Sequence, residues 1–261
     1  QGIDKTKQIF ESSIEEALKS ELIIFPETAL IQTSKELGKW IKDISDAAES
    51  KDVSIITGII ARTEEERANN RMRNRIVGLG MAFGSYDKQQ LVPFGEFVPL
   101  ERFLGTLLDF IGLNLTNTVP GKQFNLIESS ILKISPSICY EIAYSSLINK
   151  TAGKSNILVT ISNDTWFGSS IGPEQHLQLA KDRVLEHQKP LLRSTNSGIS
   201  AIIDHKGIIL GKQRYFEEKI LKSRVILQEG YTPYNYLGNS LLYLYIGLIL
   251  LISVFIKRKK V

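Results

Sequence analysis

The sequence predicts an α/β protein in which helices pack as layers on sheet, followed by one apolar helix at the C-terminal end. Three observations carry this. Short runs of β-branched and other apolar residues alternate along the chain with longer stretches whose apolar residues recur every three to four positions. The composition, 43% hydrophobic and 23% charged over 261 residues, supports a substantial core and excludes disordered and collagen-like classes. From 237 to 256 the chain is uncharged and mostly apolar, and Lys257, Arg258, Lys259 and Lys260 follow at once.

Taken in order, strand-like runs fall at 22–25, 53–60, 74–83, 131–138, 156–162, 191–195 and 199–203. Amphipathic stretches at 5–19, 34–50, 141–152 and 173–187, with a piece near 100–111, read as the helices between them. Pro173 suits a first helical turn and Gly153 a helix end. The mixed-charge stretch 62–75, between two strands, reads as a solvated hairpin loop. No internal repeat or linker divides the chain, so residues 1–229 are expected to form one domain, 237–256 a transmembrane helix and 257–261 a basic tail.

The formal charge of +4 equals what the four basic residues at 257–260 supply, which leaves the rest neutral and gives no nucleic-acid footprint. Basic residues concentrate on the cytoplasmic side of a span. The tail is therefore expected inside, with the domain outside, on the periplasmic face of the inner membrane if the chain is bacterial. Tyr231, Tyr234 and Tyr236 stand where an interfacial aromatic belt would lie. The chain begins at Gln1 with no initiator Met and no signal-like segment, and reads as a fragment or a processed product.

Three segments place a reactive residue just past an apolar strand, where loops of an α/β sheet converge. LIIFPETAL brings Glu27, YDKQQLVPFGEFVPL brings Lys88 and Glu96 around a Pro-Phe-Gly turn, and ISPSICYEIAY brings Cys139. With one cysteine and three histidines (His176, His187, His205), neither an internal disulfide nor a Cys/His zinc site is predicted. A thiol with a pKa of about 8.5 is mostly protonated at neutral pH and needs a base and a cation to act as a nucleophile. Glu27 suits the base and Lys88 the oxyanion partner, and the helix expected after Cys139 adds its positive end.

The strings FPET, YDKQQLVPFGEFVP, ICYE and NDTWFG, with the stretch from Gly172 to Ser200, resemble the carbon–nitrogen hydrolase (nitrilase) superfamily and its apolipoprotein N-acyltransferase branch. The resemblance runs from about Gln1 to Asp204 and implies an α-β-β-α sandwich. It implies a catalytic base at Glu27, a lysine at Lys88 and an acyl-accepting thiol at Cys139, with Glu96 orienting Lys88. Tyr140 and Glu141 fall on positions that shape the pocket, and Trp166 on an aromatic near the acyl entry or in the core. His176 reads as a packing histidine. The implied reaction moves a fatty acyl group from a membrane phospholipid through a Cys139 thioester to the α-amine of diacylglyceryl-cysteine in an apolipoprotein, with no metal or diffusible cofactor.

Branch members carry several membrane helices and a first core strand ahead of this region, and here only Gln1 and Gly2 are expected to remain of that strand. Asn69, Asn70 and Arg71 replace a tyrosine and a small residue common in the branch. The competing readings are an amidase acting on a small soluble amide with the same three residues, and an inactive truncated copy.

Overall fold

A computed structural model describes residues 14, 16–29, 35–97, 117–215, 217 and 219–258. Two sheets face each other. The first holds strands β1 (Leu22–Ile24), β2 (Ser54–Ala61), β3 (Arg73–Gly80) and β4 (Ser85–Asp87) in that order. Parallel β1 and β2 are joined across helix α1 (Lys35–Glu49), whereas β2 and β3 form an antiparallel hairpin from Ser54↔Gly80 to Ala61↔Arg73. The second sheet is built from β5 (Ile127–Glu128), β6 (Lys133–Ile138), β7 (Ile157–Ser162), β8 (Leu191–Thr195), β9 (Ala201–Ile203) and β10 (Ile209–Lys212), with spatial order β10-β9-β8-β7-β6-β5. Its centre, β6 to β8, is parallel. Helices α3 (Ser145–Ala152) and α4 (Gly172–His187) make the crossovers.

The period of two along each strand sorts side chains into layers. In β2, Ile56 meets Ile134, Ile138 and Ile161 between the sheets, while its neighbour Ile55 turns outward to Ala48 of α1. In β7, Val159 enters the inter-sheet core and Leu158 packs outward with Leu177, Ala180 and Val184 of α4. A strand covered on both faces reads as a continuous apolar run, as β7 does. The layering is thus helix, sheet, sheet, helix.

Strands β4, β5 and β10 are too short to leave a periodic signal, and no strand was expected there. The helix expected over 141–152 divides at Tyr144 into a 3-10 turn, Cys139–Ala143, and α3. The hairpin loop after β2 is not wholly solvated. It contains helix α2 (Glu64–Ala68), capped by Thr63, whose buried Glu66 accepts a hydrogen bond from Arg73 Nε at 2.6 Å. The expected helix near 100–111, most of that at 5–19, the strand remnant at Gln1 and Gly2, and residues 259–261 of the tail lie outside the described residues.

The C-terminal run falls into two helices. Helix α5 (Pro233–Leu237) takes Leu237, Gly238 breaks the chain at φ 51°, and helix α6 runs over Ser240–Arg258. Among the described residues no helix is long and apolar enough to cross a membrane. Helix α6 has 19 residues, about 28 Å of helix. Leu241, Leu244 and Leu250 are exposed on it.

Candidate active site

Glu27 sits in the turn after β1, 5% exposed. Its Oε1 accepts from Asn74 Nδ2 at 2.5 Å, its Oε2 from the Asn163 backbone N at 2.6 Å, and its carbonyl from Asn196 Nδ2 at 2.8 Å. The turn lies flat on β2 because position 58 is glycine: a Cβ there would stand 2.9 Å from Glu27 Cα and 2.7 Å from Thr28 N. Burial raises the Glu27 carboxyl above its usual range, opposed by the Lys88 charge and the Asn74 hydrogen bond. A buried carboxyl so placed is a stronger base than a solvated one.

Lys88 follows β4, with its backbone N bonded to Asn74 O at 2.9 Å. Its side chain is 1% exposed and its Nζ stands 2.7 Å from Glu96 Oε1 and 3.8 Å from Glu27 Oε1. The Pro-Phe-Gly turn, with Phe94 at φ 60°, folds Glu96 back so that its Oε2 also accepts from Val92 N at 2.8 Å. Burial alone would lower the Lys88 ammonium pKa, but the charges of Glu27 and Glu96 outweigh it and the net direction is upward. Lys88 therefore stays a cation although buried.

Cys139 follows β6 at φ 54° and opens the 3-10 turn, half-buried. Burial and the Glu27 charge push its thiol up to about 11, against the Lys88 charge. Glu141, two residues on, is buried and ties two segments together. One oxygen accepts from Tyr86 Oη at 2.9 Å, Gln89 N at 2.6 Å and Gln90 N at 3.1 Å, and the other from Ile138 N at 2.7 Å. The lysine loop and the cysteine turn thus share one carboxylate. Burial raises its pKa to about 7 despite these four donors.

The fold brings together Glu27, Lys88, Glu96, Cys139 and Glu141. The other two expected residues face solvent: Tyr140 stacks edge-on to Tyr144 with ring centres 5.2 Å apart, and Trp166 is 84% exposed in the 3-10 turn Asp164–Phe167, which excludes the core reading. His176 is buried with both ring nitrogens partnered, Nδ1 by Asp164 Oδ1 at 3.0 Å and Nε2 by the Cys139 carbonyl at 3.1 Å. Asn74, Asn163 and Asn196 were not anticipated. Asn163 stands in the NDTWFG string, and its position just past β7 was the available signal; Asn74 sits on β3 with no local sign of its contact with Glu27. Among the described residues no group of three or more His, Cys, Asp or Glu converges as a metal site. A cavity of about 260 Å³ lined by Gly153, Ser155 and Tyr231 touches none of these side chains.

The carbon-nitrogen hydrolase family matches residues 1–231. The chain belongs to this family. It is 34% identical over 253 residues to an apolipoprotein N-acyltransferase of Vibrio parahaemolyticus, covering 92% of this chain and 49% of that protein. With the enzyme of the same name from Pseudomonas paraeruginosa it shares 39% over 215 residues, 82% of this chain and 42% of that one. The chain spans about half the length of these relatives. Among solved structures, a carbon-nitrogen hydrolase from Helicobacter pylori superposes with a TM-score of 0.64 at 16% identity, over 86% of this chain and 83% of that one. An amidase from Nesterenkonia, bearing the acetamide moiety of fluoroacetamide on its active-site cysteine, gives 0.58 at 14% identity over 80% and 81%. Both structures support the fold, and the helix-sheet-sheet-helix layering expected from the sequence holds.

Proposed function

We propose that this carbon-nitrogen hydrolase is the acyl-transferring domain of an apolipoprotein N-acyltransferase, with Glu27, Lys88 and Cys139 as its catalytic residues. The buried Lys88 held between Glu27 and Glu96 beside the strained Cys139 supports the catalytic assignment, and the 34–39% identity to apolipoprotein N-acyltransferases over most of the chain is the observation that carries the choice of reaction. With a thiol at about 11, only about one molecule in ten thousand is thiolate at pH 7, so attack requires a base in place. Glu27 accepts the thiol proton as sulfur attacks the ester carbonyl of a phospholipid. Lys88 faces the oxyanion, the ester C–O bond breaks, and Glu27 returns the proton to the leaving lysophospholipid oxygen. A Cys139 thioester remains. In the second half, the α-amine of diacylglyceryl-cysteine attacks the thioester and Glu27 takes its proton. An amide forms and the Cys139 sulfur leaves, to be reprotonated.

Both substrates carry acyl chains, which supports a site at a membrane. The apolar side chains exposed on α6 and the basic residues that follow support an anchor whose C-terminal end lies on the cytoplasmic side of a bacterial inner membrane. The decisive experiment incubates the protein in detergent with a phospholipid bearing a labelled acyl chain, then maps adducts by mass. A hydroxylamine-labile acyl group on Cys139, absent in Cys139→Ala, is the expected result. Turnover of a soluble amide with no lipid adduct would instead favour the amidase chemistry of its structural neighbour.

A further inference from the structure

Cys139 holds a positive φ that a non-glycine residue adopts only where its surroundings impose it. One group that grips its backbone is a side chain from a distant helix. His176 Nε2 lies 3.1 Å from the Cys139 carbonyl oxygen, and because a carbonyl only accepts, Nε2 carries a proton. On the other side of the ring, Nδ1 is 3.0 Å from Asp164 Oδ1 and 3.0 Å from Arg193 Nη2. Asp164 is fixed in turn: Oδ2 accepts from Arg193 Nη2 at 2.7 Å and Oδ1 from the Ser162 hydroxyl at 2.5 Å. Arg193 Nε is anchored on Ile199 O at 3.2 Å. A Cβ on Gly198 would strike the Asp164 carboxylate, so that glycine keeps the space open. All three members, His176, Asp164 and Arg193, are buried.

These residues come from the 3-10 turn after β7, the middle of β8 and α4, and they converge behind the end of β6, where the nucleophile sits. A histidine that merely filled the core would need two partners of any kind. This one spends its Nε2–H on the nucleophile's own carbonyl. We propose that His176, backed by Asp164 and Arg193, is a positioning residue that clamps the Cys139 main chain and so aims its sulfur toward Lys88 and Glu27. The inference rests on Cys139 as the nucleophile and deepens that reading.

Cys139 is the one cysteine of the chain, so alkylation by iodoacetamide reports on it alone. In the full-length chain, His176→Gln places an amide N–H where Nε2 was, whereas His176→Asn reaches only the Nδ1 position beside Asp164. The limiting alkylation rate at high pH is expected to stay within about threefold of wild type in the glutamine variant and to fall about tenfold or more in the asparagine variant, with similar unfolding midpoints. Equal rates in the two variants, or rates that simply follow the unfolding midpoints, would overturn the proposal. If neither variant folds, ring-nitrogen NMR of histidine-labelled wild-type protein decides: a protonated Nε2 is expected, and a neutral ring protonated at Nδ1 alone rules the clamp out. A clear difference between the variants with no adduct from phospholipid would reject acyl transfer and leave the clamp standing. Adduct formation with no difference between them would do the reverse.

Discussion

Replacing Glu27 by glutamine separates two effects of that carboxylate on Cys139 that have opposite signs. Its charge raises the thiol pKa, so removing it lowers the thiol from about 11 and increases the thiolate fraction at neutral pH. Its loss as a proton acceptor costs about 100- to 10,000-fold in the rate of acylation. The fold is expected to survive. Both carboxylate oxygens accept short hydrogen bonds, from Asn74 Nδ2 at 2.5 Å and Asn163 N at 2.6 Å. A glutamine turns its NH₂ against one of those donors and forfeits a hydrogen bond to a charged acceptor, about 1.5–3 kcal/mol. Part of this is offset, because burial already disfavours the charged form at this position.

The assay pairs the pH dependence of Cys139 alkylation with the rate of adduct formation from labelled phospholipid. In Glu27→Gln the alkylation midpoint moves down while acylation collapses. In Lys88→Met, which removes the charge that lowers the thiol pKa, the midpoint moves up and acylation also falls. A Glu27→Gln protein that acylates at the wild-type rate, or whose thiol midpoint rises, would refute the assignment of base and cation.

Three other perturbations test the supporting structure. In Glu141→Gln, the amide that keeps its oxygen toward Tyr86, Gln89 and Gln90 turns its NH₂ against Ile138 N; about 1–3 kcal/mol of stability is expected to go, with slower alkylation of Cys139, and denaturant titration beside alkylation checks both. Gly58→Ala drives a methyl into Thr28 N and Glu27 Cα, costing about 1–3 kcal/mol and slowing acylation by more than alkylation, since the base moves and the thiol does not; equal slowing of both would count against it. Asp164 is held down to about 2 from an ordinary value of 3.8, and although burial opposes this, the His176 hydrogen bond and Arg193 charge prevail. Its contribution, about 2 kcal/mol, is fully present above pH 3.8 and is lost as pH falls toward 2. Urea titrations of wild type and Asp164→Asn should therefore differ at pH 7 and converge in acid; a gap constant with pH would exclude the linkage.

Glu27 and Cys139 stood out because each follows an apolar strand, and a strand end is a local signal that places a residue before any contact is known; Lys88 follows the short β4, which left no such signal, and was picked out by its place ahead of the Pro-Phe-Gly turn. The companions of these three did not stand out, since their roles arise from partners far along the chain. Asn74 serves Glu27, which lies 47 residues upstream, from within a stretch that looks like a charged loop. His176 occupies an ordinary amphipathic helix, and only the fold brings it to a carbonyl 37 residues upstream. The positive φ of Cys139 leaves no trace in composition or periodicity. The run over 237–256 reads as one helix; a helix covers 240–258, while Gly238 divides the run and leaves Leu237 at the end of α5.

Hydrolysis and acyl transfer share the first half-reaction, so the Glu–Lys–Cys geometry alone does not choose between them. The surroundings of the cluster bear on that choice. Lys88 and Glu27 are buried, yet each of three segments that build the site also exposes a large aromatic: Phe94 beside Glu96 is 57% exposed, Tyr140 beside Cys139 is 40% exposed, and Trp166 beyond Asn163 is 84% exposed. Apolar surface left in water is unfavourable by roughly 25 cal/mol per Å², and aromatic rings with a polar edge are the side chains enriched where hydrocarbon meets water. A small soluble amide would cover little of these three rings. A diacyl lipid, or the bilayer that holds it, would cover much more and would keep water from the thioester long enough for an amine to arrive. On the acyl-transfer reading proposed above, these three aromatics are the side chains a lipid surface would cover.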